Sequence, residues 1–174
     1  MLKTKRLVLR TFNNNDINDF HDIFSQDKVV KYLPFDALSH AQARNKLDKI
    51  VNEMSDVNKK PIKFILAVKH EKDEKVIGWV GCGPIPFDKE KAEIFYALNS
   101  NYWGKGIAYE AANKVLQFLL NKKELDNIYA LVDKENKGSV KILKKLKFKP
   151  LTKIDSVGNE FEFFKGLMLY KYNK

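Results

Sequence analysis

Apolar and polar positions alternate at the start of the chain. Leu7, Leu9 and Thr11 interleave with Val8, Arg10 and Phe12, a period of two that predicts a strand. Asn13-Asn14-Asn15-Asp16 then supplies helix-capping side chains, and Ile17, Phe20, Ile23 and Phe24 make an apolar stripe behind them. Pro34 breaks the segment from Lys31 to Asp36 into a loop. Ser39 and Gln42 have the spacing of a capping box, ahead of a helical face of Ala43, Leu47, Ile50, Val51 and Met54. Three strands are predicted next, Phe64 to Val68, Val76 to Val80 and Ala92 to Leu98. The polar turn His70 to Lys75 joins the first two. Gly81-Cys82-Gly83-Pro84 is expected to end or bulge the second strand, with Pro86 and Asp88 prolonging the turn.

The period then changes. Asn99 to Gly106 reads as a loop, and Ala108, Ala111, Ala112, Val115, Leu116 and Leu119 form a long helical stripe. Ile128 to Val132 is a short, fully apolar run, as in a strand buried on both faces. A second helix is predicted from about Asn136 to Leu146, with Val140, Leu143 and Leu146 turned inward. Two last strands, near Leu151 to Asp155 and Phe161 to Tyr170, are expected to meet at a hairpin turn of Ser156-Val157-Gly158-Asn159. The order β-α-α-β-β-β-α-β-α-β-β predicts a single domain spanning residues 1–174, of α+β (mixed α/β) class, with a central mixed sheet. The unit from Ala92 to Val132 has the length of a βαβ crossover, so its strands are expected to be parallel neighbours.

Composition narrows the class. At 174 residues the chain suits one domain. Folding at about 150 residues hides roughly two-thirds of the surface, which leaves room for a sizeable core. With 44% hydrophobic and 31% charged residues, the chain reads as globular rather than disordered. Cys82 is the single cysteine, so neither an internal disulfide framework nor a cysteine-based zinc site can form, and no metal is expected. No apolar h-region of signal-peptide length follows Met1 to Arg6, and no run of about 18 apolar residues occurs. Neither a signal peptide nor a membrane helix is expected, and the cytoplasm is the expected compartment. The formal net charge of +10 suits an anionic partner, whether nucleic acid, an anionic cofactor or an acidic surface. A surplus of solvated lysines gives the same balance.

The stretch with most chemical content is Asn99-Ser100-Asn101-Tyr102-Trp103-Gly104-Lys105-Gly106-Ile107-Ala108, which ends a strand and opens a helix. Gly104 and Gly106 leave the backbone bare, so an anion can approach the free N–H groups of the first helical turn. A phosphate or pyrophosphate is the expected guest. The loop lacks the Gly-Lys-Ser/Thr of a P-loop, and Tyr109 stands at the third glycine position of a dinucleotide fingerprint. Two glycines making a tight turn with no ligand is the plain alternative.

Tyr102-Trp103-Gly104-Lys105-Gly106-Ile107-Ala108-Tyr109-Glu110-Ala111 resembles the pyrophosphate motif of the GNAT acyltransferases, in particular their ribosomal-protein N-acetyltransferase-like (RimJ/RimL-like) branch. Lys5-Arg6-Leu7-Val8-Leu9-Arg10 looks like that branch's opening strand, and Ala92-Glu93-Ile94 like its fourth. Asn136-Lys137-Gly138-Ser139 followed by Leu143-Lys144-Lys145-Leu146-Lys147-Phe148 resembles its second cofactor motif, Asn-x-x-Ser and then Lys-Leu-Gly-Phe. These motifs, in family order, cover almost the whole chain. The resemblance implies a GNAT-like acyl-CoA N-acyltransferase fold, a central twisted sheet flanked by helices, with acetyl-CoA as donor. It implies that amides of Trp103, Gly104, Lys105, Gly106, Ile107 and Ala108 hold the pyrophosphate. Tyr96, Ala97 and Leu98 would bond the pantetheine arm like an added strand, in a slot opened by splayed neighbours. Asn136 and Ser139 would touch the cofactor near its thioester, and Asn136 equally suits a helix N-cap. Four positions depart from the pattern. Asn101 stands for a common Arg or Gln, Tyr109 for Thr or Ser, Lys147 for the helix-ending Gly, and Leu143 for a tyrosine that protonates the leaving thiolate in many GNAT enzymes.

The implied reaction is direct attack of a neutral primary amine on the thioester carbonyl, through a tetrahedral intermediate. It needs positioning, an oxyanion donor, expected from a backbone N–H of the fourth strand, and a base. Glu93 is the candidate base, because an acid inside a strand is disfavoured unless exposed or used; an ordinary solvent-facing residue is the alternative. Ser139 is the candidate to hydrogen-bond the leaving sulfur. His21, His40 and His70 fall in helix, cap and turn positions that suit solvated roles. Family analogy offers Tyr32, Leu33, Pro34, Phe35, Trp79 and Phe87 as walls for the acceptor, with core packing the alternative for Trp79. Acceptors in scope are a protein α-amine, a polyamine, an aminoglycoside or another small amine. Two other readings compete. Residues 136–154 hold seven lysines and no acid, which fits a basic RNA- or ribosome-binding module. The four departures fit a non-catalytic acetyl-CoA-binding protein. Ribosome association is open, no membrane partner is expected, and both a monomer and a homodimer are compatible with the sequence.

Overall fold

A computed structural model describes residues 1–53, 62–122, 125 and 127–173. Met54, expected on a helical face with Leu47 and Ile50, lies outside the described residues. The elements are β1 (Leu2–Lys3), β2 (Leu7–Thr11), α1 (Ile17–Phe24), α2 (Asp27–Val30), α3 (His40–Glu53), β3 (Phe64–His70), β4 (Lys75–Ile85), β5 (Asp88–Leu98), α4 (Ile107–Lys122), β6 (Ile128–Val132), α5 (Lys137–Lys145), β7 (Phe148–Lys153) and β8 (Met168–Tyr172). Short 3-10 segments occupy Asn14–Asp16, Ser100–Tyr102 and Asn159–Phe164. The strands form one sheet in the order β1-β2-β3-β4-β5-β6-β8-β7. Neighbours are antiparallel except β5 and β6, which are parallel as the crossover length predicts. The class is the expected one, a mixed sheet with helices on its faces.

Strand alternation divides the core between those faces. Leu66, Val68, Val80, Cys82, Ile94 and Leu98 join the stripe Ile107, Ala111, Ala112, Val115, Leu116 and Leu119 of α4, and Leu143 of α5. Ile65, Ala67 and Trp79 turn the other way, onto Phe20, Ile23 and Phe24 of α1 and Ala43, Leu47 and Ile50 of α3. Covering on both faces explains why Phe64 to Val68 reads as an unbroken apolar run. Side-chain caps begin the helices where the sequence places them. Ser39 and Gln42 form the reciprocal capping box (Ser39 N to Gln42 Oε1, 2.8 Å), and Asn136 Oδ1 accepts the Ser139 N–H at 3.1 Å.

The structure differs from the sequence reading at several points. β4 does not stop at Gly81 but runs to Ile85, with a register shift between Pro84 and Ile85. Gly81 is there for close approach: a Cβ would sit 2.4 Å from the Phe64 carbonyl oxygen and 2.6 Å from the Phe95 ring. Asp88 belongs to β5, where it pairs with Ile85, so the turn is tight rather than prolonged. Phe161 to Phe164 lies in a 3-10 segment, not in a strand, and only Met168–Tyr172 pairs with β6 and β7. Rings decide this. Phe161 and Phe164 stack on Phe87 at 6.2 and 5.4 Å, which pulls the segment off the sheet, and Gly166 (φ 87°) turns the chain back. β7 begins at Phe148, three residues before the predicted start, and β1 and α2 have no counterpart in the sequence reading.

Lys147 sits at φ 67°, so a lysine holds the left-handed conformation that a glycine would take at this helix end. Lys147→Gly should therefore stabilise the protein by about 0.5–1 kcal/mol, a rise of about 1–4 °C in melting temperature. A drop in melting temperature would show that the lysine side chain contributes more than the strain removes.

Candidate active site

β5 and β6 pair over two residues only, Ala92 with Ile128 and Glu93 with Tyr129. Beyond this, β6 continues beside β8 through Ala130, Leu131 and Val132, while β5 runs on to Leu98. The two strands part at Glu93, and the edge of β5 from Ile94 to Leu98 faces a gap. An unpaired strand edge offers N–H and C=O groups to an extended ligand.

The gap leads to the loop between β5 and α4. Asn99 anchors it from within, its Oδ1 accepting the Asn101 N–H (3.0 Å) and its Nδ2 donating to Asp22 (2.7 Å). Trp103 Nε1 donates to the Leu98 carbonyl at 2.8 Å, and Tyr102 Oη to Asp73 at 2.6 Å. Gly104 and Gly106 both lie at φ 73°, a conformation that β-carbons resist, and they turn the chain into α4 at Ile107. The Lys105 ammonium folds back onto the Asn101 carbonyl (2.9 Å), so it is the backbone of the loop, not that side chain, that lies bare. First-turn N–H groups of α4 have no intrahelical partner and carry the positive end of the helix dipole. The cradle therefore suits a diphosphate.

Arg6 and Glu110 brace this loop, and neither was a predicted site residue. Arg6 Nη1 donates to the Lys105 carbonyl (3.0 Å), while its Nε and Nη2 grip Glu110 at 2.8 and 2.7 Å. Thr4 Oγ1 adds a 2.6 Å hydrogen bond to the same carboxylate. These groups hold the Glu110 pKa below its ordinary value. The partners are about a hundred residues apart, and no spacing rule links an arginine ahead of β2 to a helix glutamate at that range.

Cross-strand register sorts the remaining residues by face. Gly83–Glu93, Gly81–Phe95 and Trp79–Ala97 are pairs on the face covered by α1 and α3, whereas Cys82–Ile94 and Val80–Tyr96 are pairs on the face covered by α4 and α5. Glu93 sits at the apex of the gap. Burial drives its pKa up to about 7, against the opposing pull of the Leu131 backbone amide. Tyr96 reaches the first turn of α5, its Oη donating to the Ser139 carbonyl at 3.4 Å. Ser139 thus lies beside the gap, but Asn136 faces its N–H as an N-cap. Leu143 is 2% exposed and belongs to the core. Tyr109 lies under Lys145 Nζ (4.1 Å from its ring), a contact that joins α4 to α5.

The proposed acceptor residues divide. Trp79 is 6% exposed and packs among Phe20, Phe24, Phe35 and Phe95, the core packing that was its alternative role. Tyr32 is half-buried in the loop after α2, with Lys31 Nζ 5.1 Å from its ring. Phe87 packs with Leu131 and Ile154 over Tyr129, on the face that carries Glu93. The lysine run does not form one stripe: Lys144, Lys147 and Lys149 line a cleft of about 440 Å³ at the end of α5, while Lys145 covers Tyr109. No helix among the described residues is long and apolar enough to cross a membrane.

A mixed sheet whose parallel pair opens beside a glycine-bounded helix start forms an anion-binding strand–helix junction. The chain belongs to the GNAT acetyltransferases: the acetyltransferase (GNAT) domain model matches residues 6–149. It is 34% identical over 174 residues to the uncharacterized N-acetyltransferase p20 of Bacillus licheniformis, covering 98% of this chain and 92% of that protein. A GNAT-family acetyltransferase structure from Bacillus anthracis superposes with a TM-score of 0.78 at 23% identity, covering 98% of this chain and 95% of the other. A RimL ribosomal α-N-protein acetyltransferase in complex with coenzyme A superposes with a TM-score of 0.74 at 12% identity, over 97% and 94% of the two chains. The chain is thus an acyltransferase, and its fold is shared with ribosomal-protein acetyltransferases.

The raised Glu93 pKa has a measurable consequence. A carboxyl group whose folded pKa exceeds its unfolded value of 4.5 stabilises the fold fully below about pH 4.5 and loses that contribution as pH rises through about 7. The melting temperature of Glu93→Gln minus that of the wild type should therefore grow between about pH 5 and pH 8. A difference independent of pH would contradict burial of this carboxyl group.

Proposed function

We propose that the protein transfers the acetyl group of acetyl-CoA to a primary amine, on a protein N-terminus or a small molecule, by direct attack of the amine on the acetyl carbonyl. The observation that carries this reading is the parting of β5 and β6 at Glu93, directly upstream of the Gly104–Gly106 helix start. When bound, acetyl-CoA supplies a thioester activated toward nucleophiles. The chain supplies the rest. Amides from Gly104 to Ala108 would take the pyrophosphate, whereas the expected Trp103 N–H is already given to the Ser100 carbonyl (3.2 Å), and the free edge at Tyr96, Ala97 and Leu98 would take the pantetheine amides as an added strand. A backbone N–H on that edge would face the developing oxyanion.

Glu93 would hold the proton that the ammonium form of the acceptor must lose. A carboxyl group titrating near 7 is half-ionised at neutral pH, which suits a general base. Cys82 supports direct transfer over an acyl-enzyme route, because it is fully buried and its thiol is pushed up to about 12 by burial. Asn136 caps the first turn of α5, from which Ser139 would face the thioester end.

The test is thiol release from acetyl-CoA with a panel containing spermidine, an aminoglycoside and a peptide with a free N-terminus. At least one amine should raise the rate above hydrolysis. With that amine Glu93→Gln should cut kcat by about 10²- to 10⁴-fold, with a smaller effect on KM for acetyl-CoA. Binding of acetyl-CoA with no amine-dependent release would favour a non-catalytic acetyl-CoA-binding protein. Salt-dependent RNA binding without acetyl-CoA binding would favour the basic-module reading.

A further inference from the structure

Glu93 and Tyr96 stand three residues apart on β5 but on opposite faces of the sheet, beside the edge where β5 parts from β6. A strand rises about 3.3 Å per residue, so the two side chains bracket a stretch about 10 Å long. A thioester seated there with its carbonyl carbon toward the Glu93 face would turn its sulfur toward the face of α4 and α5, where Tyr96 lies. Leu143, the position of the missing helix tyrosine, is sealed in the core and offers no hydroxyl. Tyr96 does offer one. Its Oη makes a 3.4 Å hydrogen bond to the Ser139 carbonyl, long for a hydroxyl donor, whose usual distance is about 2.7–2.8 Å. A partly buried donor with so weak an acceptor is free to turn to a better one.

We infer that the Tyr96 hydroxyl, on the gap side of β5 and at the first turn of α5, donates a hydrogen bond to the departing CoA sulfur and so does from the strand what a helix tyrosine does elsewhere. The inference rests on the function proposed above. The neutral amine adds to the carbonyl carbon to give a tetrahedral intermediate, whose collapse breaks the C–S bond and leaves its electron pair on sulfur. The proton that the attacking nitrogen sheds passes to Glu93, which has by then returned the proton taken from the acceptor's ammonium form to solvent. Tyr96 keeps its proton: burial raises its pKa, so it stays neutral and cannot protonate a thiolate, but it can stabilise one. Solvent later supplies the thiol proton. The N-terminal dipole of α5 points the same way, toward negative charge on sulfur.

The experiment compares CoA with desulfo-CoA, which lacks only the sulfur, by calorimetry on wild-type protein, Tyr96→Phe and Ser139→Ala. The wild type should prefer CoA, and the preference should grow about 10-fold between about pH 7 and pH 9 as the thiol ionises. Tyr96→Phe should abolish that growth while binding desulfo-CoA and melting as the wild type does. It should also lower kcat by about 10- to 100-fold at nearly unchanged KM for acetyl-CoA. Ser139→Ala should retain the pH-dependent preference. If the preference persists in Tyr96→Phe, or is lost in Ser139→Ala alone, the role assigned to Tyr96 is wrong, even if acetyl transfer stands. If the wild type binds neither ligand, the proposed function falls first and this inference with it.

Discussion

The parallel pairing of β5 with β6 lasts for two residues, and the organisation of the site follows from that brevity. A parallel pair needs a crossover, here α4, so the start of a helix must lie at the end of β5. Because the pair parts at Glu93, the end of β5 nearest α4 keeps an open edge. One constraint therefore places a strand edge that can take amides beside a helix start that can take phosphates. It also puts an acid at the point of divergence, buried enough to titrate near 7. β6 stays in the sheet after it leaves β5 because β8 pairs with its other edge from Tyr129 to Val132.

The loop that closes this arrangement is held from several sides. Asn99 is buried and bonded at both ends of its amide, Trp103 is tied back to Leu98, and Arg6 reaches from the start of β2 to Lys105 and Glu110. Such a cradle is rigid before any ligand arrives, which reduces the ordering that binding requires. The two glycines at positive φ supply the turn, and the brace keeps it open.

Much of this was legible in the sequence, for identifiable reasons. Period-two alternation located β2 and β5, an unbroken apolar run located β3, and the 3.6-residue stripe located α4, because each buries its apolar positions against a partner. The Gly104-x-Gly106 spacing at a strand–helix junction pointed to the anion cradle from chain chemistry alone. What was missed depends on distant partners. Gly81-Cys82-Gly83-Pro84 reads as a strand end or bulge; the strand runs on with a register shift at Pro84/Ile85, and Gly81 marks the close approach of Phe64 and Phe95. Phe161 to Phe164 reads as strand, yet stacking on Phe87 holds it in a 3-10 segment. The brace of Arg6 on Glu110 and the reach of Tyr96 to Ser139 join residues far apart in the chain, and a single sequence carries no signal for either.

The central claim is that the open edge of β5 and the start of α4 form one continuous cofactor site. Amide hydrogen exchange with and without saturating acetyl-CoA tests it most directly, because exchange reports the N–H groups themselves. Protection should rise together at residues 94–98 and 104–108, and leave the cleft at Lys144, Lys147 and Lys149 unchanged. Protection at that lysine cleft, or at the loop without the strand edge, would contradict the account.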